Sequence, residues 1–135
     1  MIVADTSVVF GALDAHDPNH SACASALSTG IPVVVPAPVL VEVDWLAHSR
    51  GRPKAITVLL RSVRDGSVLV ANLDAEDYAR VVELVEQYDD LPLGMVDASV
   101  VAVAERLEQD TIATLDRRHF SVVRPSHVPA FVLLP

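Results

Sequence analysis

The sequence predicts an α/β fold, a parallel sheet with helices covering both faces. Three observations carry the prediction. Short runs that are almost wholly apolar recur at residues 2–4, 33–35, 68–70 and 111–115. Continuous runs of this kind suit strands buried on both faces, whereas half-exposed strands alternate. Helical patterns separate each run from the next, and that order calls for crossover connections and a parallel sheet. The first run stops at Asp5-Thr6-Ser7, a carboxylate and two hydroxyls. A buried strand ends this way when its carboxyl end opens into a site.

The elements follow in order. Val8 to Leu13 reads as a short buried helix. Asp17-Pro18 suits a second helix start, because Asp caps and Pro tolerates the first helical position. Ala22, Cys23, Ala26 and Leu27 continue it at helical spacing, and Gly30 with Pro32 ends it. Val33–Val35 is a strand too apolar for an exposed edge. A third helix runs from Pro36-Ala37-Pro38 to about Ser49, with Val39, Leu40, Val43, Leu46 and Ala47 as its apolar stripe. After Gly51, Pro53 opens a fourth. Ile56, Leu59, Leu60 and Val63 should face inward there, with Lys54, Arg61 and Arg64 together on the other side. Asp65-Gly66 is a turn and Val68–Val70 a strand.

Asp74 and Asp77 have the spacing of a capping box. The helix they open should bury Tyr78, Val81, Val82 and Val85 and end near Tyr88. Residues 89–94 form a loop. Met95 to Glu108 is apolar on nearly every side and reads as a buried helix. A strand over 111–115 ends at Asp116, a turn follows at Arg117-Arg118, and a last short strand falls at Phe131 to Leu134.

The 135 residues suffice for one domain, and no boundary or repeat divides residues 1–135. Aromatics are 4% against 51% hydrophobic residues, so Val, Leu, Ile and Ala must build the core. No run reaches the roughly 20 apolar residues of a membrane span. The first apolar run lacks a basic lead and does not read as a signal peptide. One cysteine, Cys23, rules out an internal disulfide and a multi-cysteine zinc cluster, and it fits a cytoplasmic setting. It reads as a small core residue. The formal net charge of −8 disfavours non-specific nucleic-acid binding, which needs Lys and Arg against phosphate. It suits a carboxylate-rich site and a partner of opposite charge.

Four acids stand in apolar surroundings: Asp5 and Asp116 at strand ends, Asp97 in the first turn of the buried helix, and Glu42 within Pro38 to Leu46. In a parallel sheet the first three share one edge. Crowded carboxylates raise one another's pKa, and a hard divalent cation removes the conflict. Such a site delivers a metal-activated water to a phosphodiester. Each acid also has a plainer reading. Asp5 would cap the next helix, Asp97 would favour the positive end of a helix dipole, and Asp116 would be a turn residue. Glu42 and Asp44 flank the apolar stripe on either side, and periodicity does not choose between them. Ser7 and Thr114 could orient the carboxylates, and Thr6 reads better as a cap or strand residue. His119 reads as a structural turn residue. Trp45 reads as packing at a helix face or a subunit contact.

Four stretches carry a resemblance: Ile2-Val3-Ala4-Asp5-Thr6-Ser7-Val8, Pro38-Val39-Leu40-Val41-Glu42-Val43, Leu93-Gly94-Met95-Val96-Asp97-Ala98, and Ala113 through Phe120. In order and spacing they resemble PIN-domain ribonucleases of the VapC type, toxins of type II toxin–antitoxin pairs. The resemblance covers essentially the whole chain. It implies a Rossmann-like three-layer α/β/α sandwich around four to five parallel strands, and endoribonuclease activity dependent on Mg²⁺ or Mn²⁺. It implies Asp5, Glu42, Asp97 and Asp116 as the catalytic acids and prefers Glu42 to Asp44. Asp5, Asp97 and Asp116 would hold the metal, with Ser7 and Thr114 beside them. Apart from the resemblance, Arg117 and Arg118 beside Asp116 read equally as contacts to an RNA backbone or as surface salt bridges. A homodimer and a cognate antitoxin with a basic segment are implied as well.

Other readings are weaker. A phosphoacceptor receiver domain wants a Lys at a late strand end, and the only Lys is Lys54 in a helix. A dehalogenase-like phosphatase wants Asp where Ser7 stands. A PIN-like module that binds RNA or protein without cleaving remains the main alternative.

Overall fold

A computed structural model describes residues 1–135. Five strands, β1 (Ile2–Ala4), β2 (Val33–Pro36), β3 (Val68–Ala71), β4 (Thr111–Ala113) and β5 (Val132–Leu134), form one sheet in the order β3-β2-β1-β4-β5. Every neighbouring pair is parallel. Around the sheet lie α1 (Thr6–Leu13), α2 (His20–Leu27), α3 (Ala37–Ser49), α4 (Ala55–Arg64), α5 (Ala75–Gln87), α6 (Met95–Arg106) and α7 (Arg117–Val122). The architecture is the α/β sandwich that the alternating pattern predicts.

Strand order places the site. From β1 the chain winds outward through β2 to β3, then returns past β1 to β4 and β5. The direction of winding therefore reverses between β1 and β4. At such a switch point the loops leave in opposite directions and open a crevice beyond the strand ends. Asp5 follows β1 directly, and its backbone N–H bonds the carbonyl of Ala113 on β4 at 2.9 Å.

Right-handed crossovers put α1 to α4 on one face and α5 to α7 on the other. The packing agrees: α1 touches α2, α3 and α4, and α5 lies on α6. α3 also reaches α6, and that contact carries Glu42 toward the first turn of α6. The core joins β1, β2 and β4 to α6, whose residues Ala98 to Ala104 are all buried. Removing seven such residues from water on every side explains why this helix shows no amphipathic stripe. The Asp74–Asp77 capping box forms as its spacing predicts, each side chain accepting from the other's backbone N–H. Asp77 is buried and also takes the Arg106 guanidinium at 3.0 Å, which ties α5 to α6.

Several expectations need correction. Leu60 on α4 and Tyr78 and Val82 on α5 are exposed, where periodicity had them inward. The buried positions are Ala55 and Leu59 on α4, and Val81 and Leu84 on α5. These helices lie at the rim and bury a narrower stripe than the pattern offers. α2 begins at His20, after a turn in which Asp17 accepts from the backbone N–H of Asn19. β4 ends at Ala113 rather than at Leu115. The turn expected at Arg117-Arg118 is the first turn of α7.

Candidate functional site

Asp5 does not cap α1, although it occupies the N-cap position. Its carboxylate turns to β4 instead. Oδ2 accepts from Ser7 Oγ at 2.8 Å and from Thr114 Oγ1 at 2.9 Å. Each hydroxyl is itself fixed by a backbone donor: Leu115 N–H bonds Ser7 Oγ, and Asp116 N–H bonds Thr114 Oγ1, both at 2.9 Å. Donors from the first turn of α1 and from the residue after β4 thus hold one carboxylate oxygen at the switch point. Charge-assisted bonds of this kind are stronger than neutral ones. Asp5 and Thr114 are buried, so the arrangement is preformed.

Asp116 caps α7, with Oδ1 accepting from the His119 backbone N–H at 3.1 Å. Helical spacing then returns the His119 ring over Asp116. Nδ1 lies 2.8 Å from Asp116 Oδ2 and 3.0 Å from Asp97 Oδ2. Asp97 arrives from the first turn of α6. Asp97, Asp116 and His119 each offer a ligand atom within 4.8 Å of the others.

Charge gathers on Asp97. Burial pushes its carboxyl up to about 6, and the negative charges of Asp5, Asp116 and Glu42 add to the rise, with His119 opposing it. Asp5, Glu42 and Asp116 therefore all act on the same carboxylate. Glu42 also lines an apolar groove of about 740 Å³ with Pro38, Val41, Trp45, Tyr78 and Met95.

The basic residues divide. Arg117 and Arg118, at the start of α7 beside Asp116, are both exposed, and Arg117 Nη2 donates to the Pro135 carbonyl. Arg64 ends α4 just before β3 begins, at the sheet edge opposite the crevice. The α4 cations are exposed, as a solvated face would be.

Sequence reasoning placed Asp5, Asp97 and Asp116 at this edge but took His119 for a turn residue. The available signal was its position three residues after Asp116. It acquires meaning only once residues 117–122 are read as a helix.

The PIN domain family profile matches residues 2–124. The chain belongs to the PIN domain family. Among curated relatives, the ribonuclease VapC26 of Mycobacterium tuberculosis is 33% identical over 135 residues, covering 99% of this chain and all of the relative. Solved structures share the fold. VapC20 of M. tuberculosis, described as a toxin that cleaves the sarcin-ricin loop, superposes with a TM-score of 0.74 at 23% identity, over 83% of this chain and 87% of that one. A toxin–antitoxin complex from Klebsiella pneumoniae gives 0.70 at 16% identity, over 98% and 100% of the two chains.

Proposed function

We propose that this PIN domain is a divalent-metal-dependent endoribonuclease, the toxin of a toxin–antitoxin pair. One observation carries the reading: at the sheet's switch point Asp97, Asp116 and His119 bring ligand atoms within 4.8 Å of one another, and the charges of Asp5 and Glu42 act on Asp97 as well. A protein that only packed or bound would not gain from crowding carboxylates there. The donor set is oxygen-rich and suits Mg²⁺ or Mn²⁺. Asp5, Asp97 and Asp116 would hold the ion. When bound, a divalent ion lowers the pKa of water and offsets charge on a phosphodiester undergoing displacement.

The protein's own groups then have distinct work. Ser7 and Thr114 orient Asp5. Glu42, at the mouth of the apolar groove, orients water against the scissile phosphate. Arg117 and Arg118 supply positive charge to the RNA backbone beside a negative site. In-line attack on phosphorus leaves a 5′-phosphate and a 3′-hydroxyl. The 33% identity to a ribonuclease over the full chain supports this reading.

Partners follow from charge and surface. A net charge of −8 suits an antitoxin segment rich in Lys and Arg laid into the acidic crevice. Exposed Val41, Trp45, Tyr78 and Met95 suit a second copy of the chain packed against the groove.

The test is cleavage of RNA by purified protein with Mn²⁺ or Mg²⁺. Asp5→Asn and Asp97→Asn should each lose cleavage while retaining cooperative unfolding. Retained cleavage in either variant, free of contaminating nuclease, overturns the assignment. Metal binding without any cleavage would favour the non-catalytic module.

A further inference from the structure

The His119 ring is fixed at one nitrogen and aimed at the acids with the other. Nε2 lies 3.0 Å from the Leu91 carbonyl oxygen. A carbonyl only accepts, so Nε2 carries the proton and Nδ1 of the neutral ring carries a lone pair. That lone pair faces Asp97 Oδ2 at 3.0 Å and Asp116 Oδ2 at 2.8 Å. Three electron-rich atoms at such separations require a positive centre among them.

A proton on Nδ1 serves poorly. Nδ1 is buried and has no aligned hydrogen-bond partner, so neither oxygen lies along the direction in which a ring proton would point. A cation in front of the ring fits better. Adjacent ligand atoms of an octahedral ion with bonds of about 2.1 Å are separated by roughly 3.0 Å, and each sits well off the other's bond axis. The two Nδ1–oxygen distances match that spacing. Ligating histidines also characteristically donate their other N–H to a carbonyl or carboxylate, as Nε2 does here to Leu91.

We propose that His119 Nδ1 is itself a ligand of the divalent ion, beside Asp97 and Asp116, so that the centre is a mixed nitrogen–oxygen site. The inference rests on the metal-dependent reading above. It has a consequence for selectivity. Imidazole suits transition metals, whereas Mg²⁺ takes oxygen donors, so the site prefers Mn²⁺ to Mg²⁺. It also assigns work to the 89–94 loop, whose Leu91 carbonyl orients the ligand.

The experiment is Mn²⁺ binding to the full chain, by calorimetry and by electron spin-echo spectroscopy with histidine carrying either ¹⁴N or ¹⁵N. In the unaltered protein, bound Mn²⁺ should show a nitrogen coupling that changes with the histidine isotope. His119→Ala should lose that coupling and bind Mn²⁺ at least about tenfold more weakly, with a smaller loss for Mg²⁺. His119→Asn should behave likewise. If neither variant folds, the isotope measurement on the unaltered chain still decides. Mn²⁺ bound without histidine coupling, or a coupling that persists in His119→Ala, overturns the inference and leaves the metal-dependent reading standing. An unaltered chain that takes up no Mn²⁺ overturns both.

Discussion

Asp97 is where the opposing demands of the site meet. Its carboxyl is raised to about 6 from an ordinary 3.8, so the folded protein holds a proton that the unfolded chain releases. Stability from this group is therefore present at low pH and falls as pH rises from about 4 through 6. At neutral pH the loss in the metal-free protein is on the order of 2–3 kcal/mol. Asp97→Asn removes the penalty and should be the more stable protein in EDTA at pH 7, with the difference vanishing near pH 4. Urea unfolding of both proteins across that range measures it. Thr114→Val tests the other side of the crevice. It deletes a buried hydroxyl that donates to Asp5 and accepts from Asp116 N–H. It should cost about 1.5–3 kcal/mol, as hydrogen bonds to charged groups do, and RNA cleavage should fall with the loss of Asp5 alignment. At this scale the sequence was informative where a residue stood out from its neighbours. Asp5, Asp97 and Asp116 interrupt apolar runs and were visible. Thr114 was visible through its place beside a strand end. His119 was not, because its meaning depends on helix α7, and Arg117-Arg118-His119 after an Asp read equally as a turn.

Among the elements, α1 packs closely on α2. A Cβ built on Gly11 would lie 2.7 Å from Cys23 Sγ, and Cys23 is fully buried. Alanine is favoured over glycine inside a helix by about 1 kcal/mol. The clash opposes that gain, so Gly11→Ala should destabilise the protein. Cys23→Ala removes the sulfur and leaves only a Cβ contact at 3.4 Å. The double variant should therefore be more stable than the sum of the single effects, which a double-mutant cycle by urea unfolding would show. Additive effects would mean that the two helices part without cost. Elements were legible because strands and helices differ in period, while boundaries shifted at the start of α2, the end of β4 and the start of α7. What periodicity missed is which part of an apolar stripe finds a partner. Tyr78 and Val82 belong to the stripe of α5, yet α6 and the sheet cover only Val81 and Leu84. Burial of a rim helix is set by its neighbours, and its own sequence does not contain them.

Across the whole molecule, the acidic site and the apolar groove share Glu42. The groove's apolar walls are well exposed: Val41 by 72%, Trp45 by 67% and Tyr78 by 52%. Trp45 therefore contributes little to the protomer's own core. Contiguous apolar surface of this kind marks an interaction site. A second copy seated there would shield the aromatic side chains and close over Glu42, making access to the acid cluster depend on assembly. Trp45→Glu tests this. As a surface change it should alter protomer stability by no more than about 0.5 kcal/mol. It should nevertheless lower the sedimenting mass from dimer to monomer, because it buries a charge in the contact. Cleavage should weaken with the mass if assembly shapes the mouth, since Trp45 lies one helical turn beyond Glu42 and outside the acid cluster. Sedimentation velocity over a range of concentrations decides the matter. An unaltered chain that sediments as a monomer throughout would remove the second copy from the groove and leave that surface to another protein.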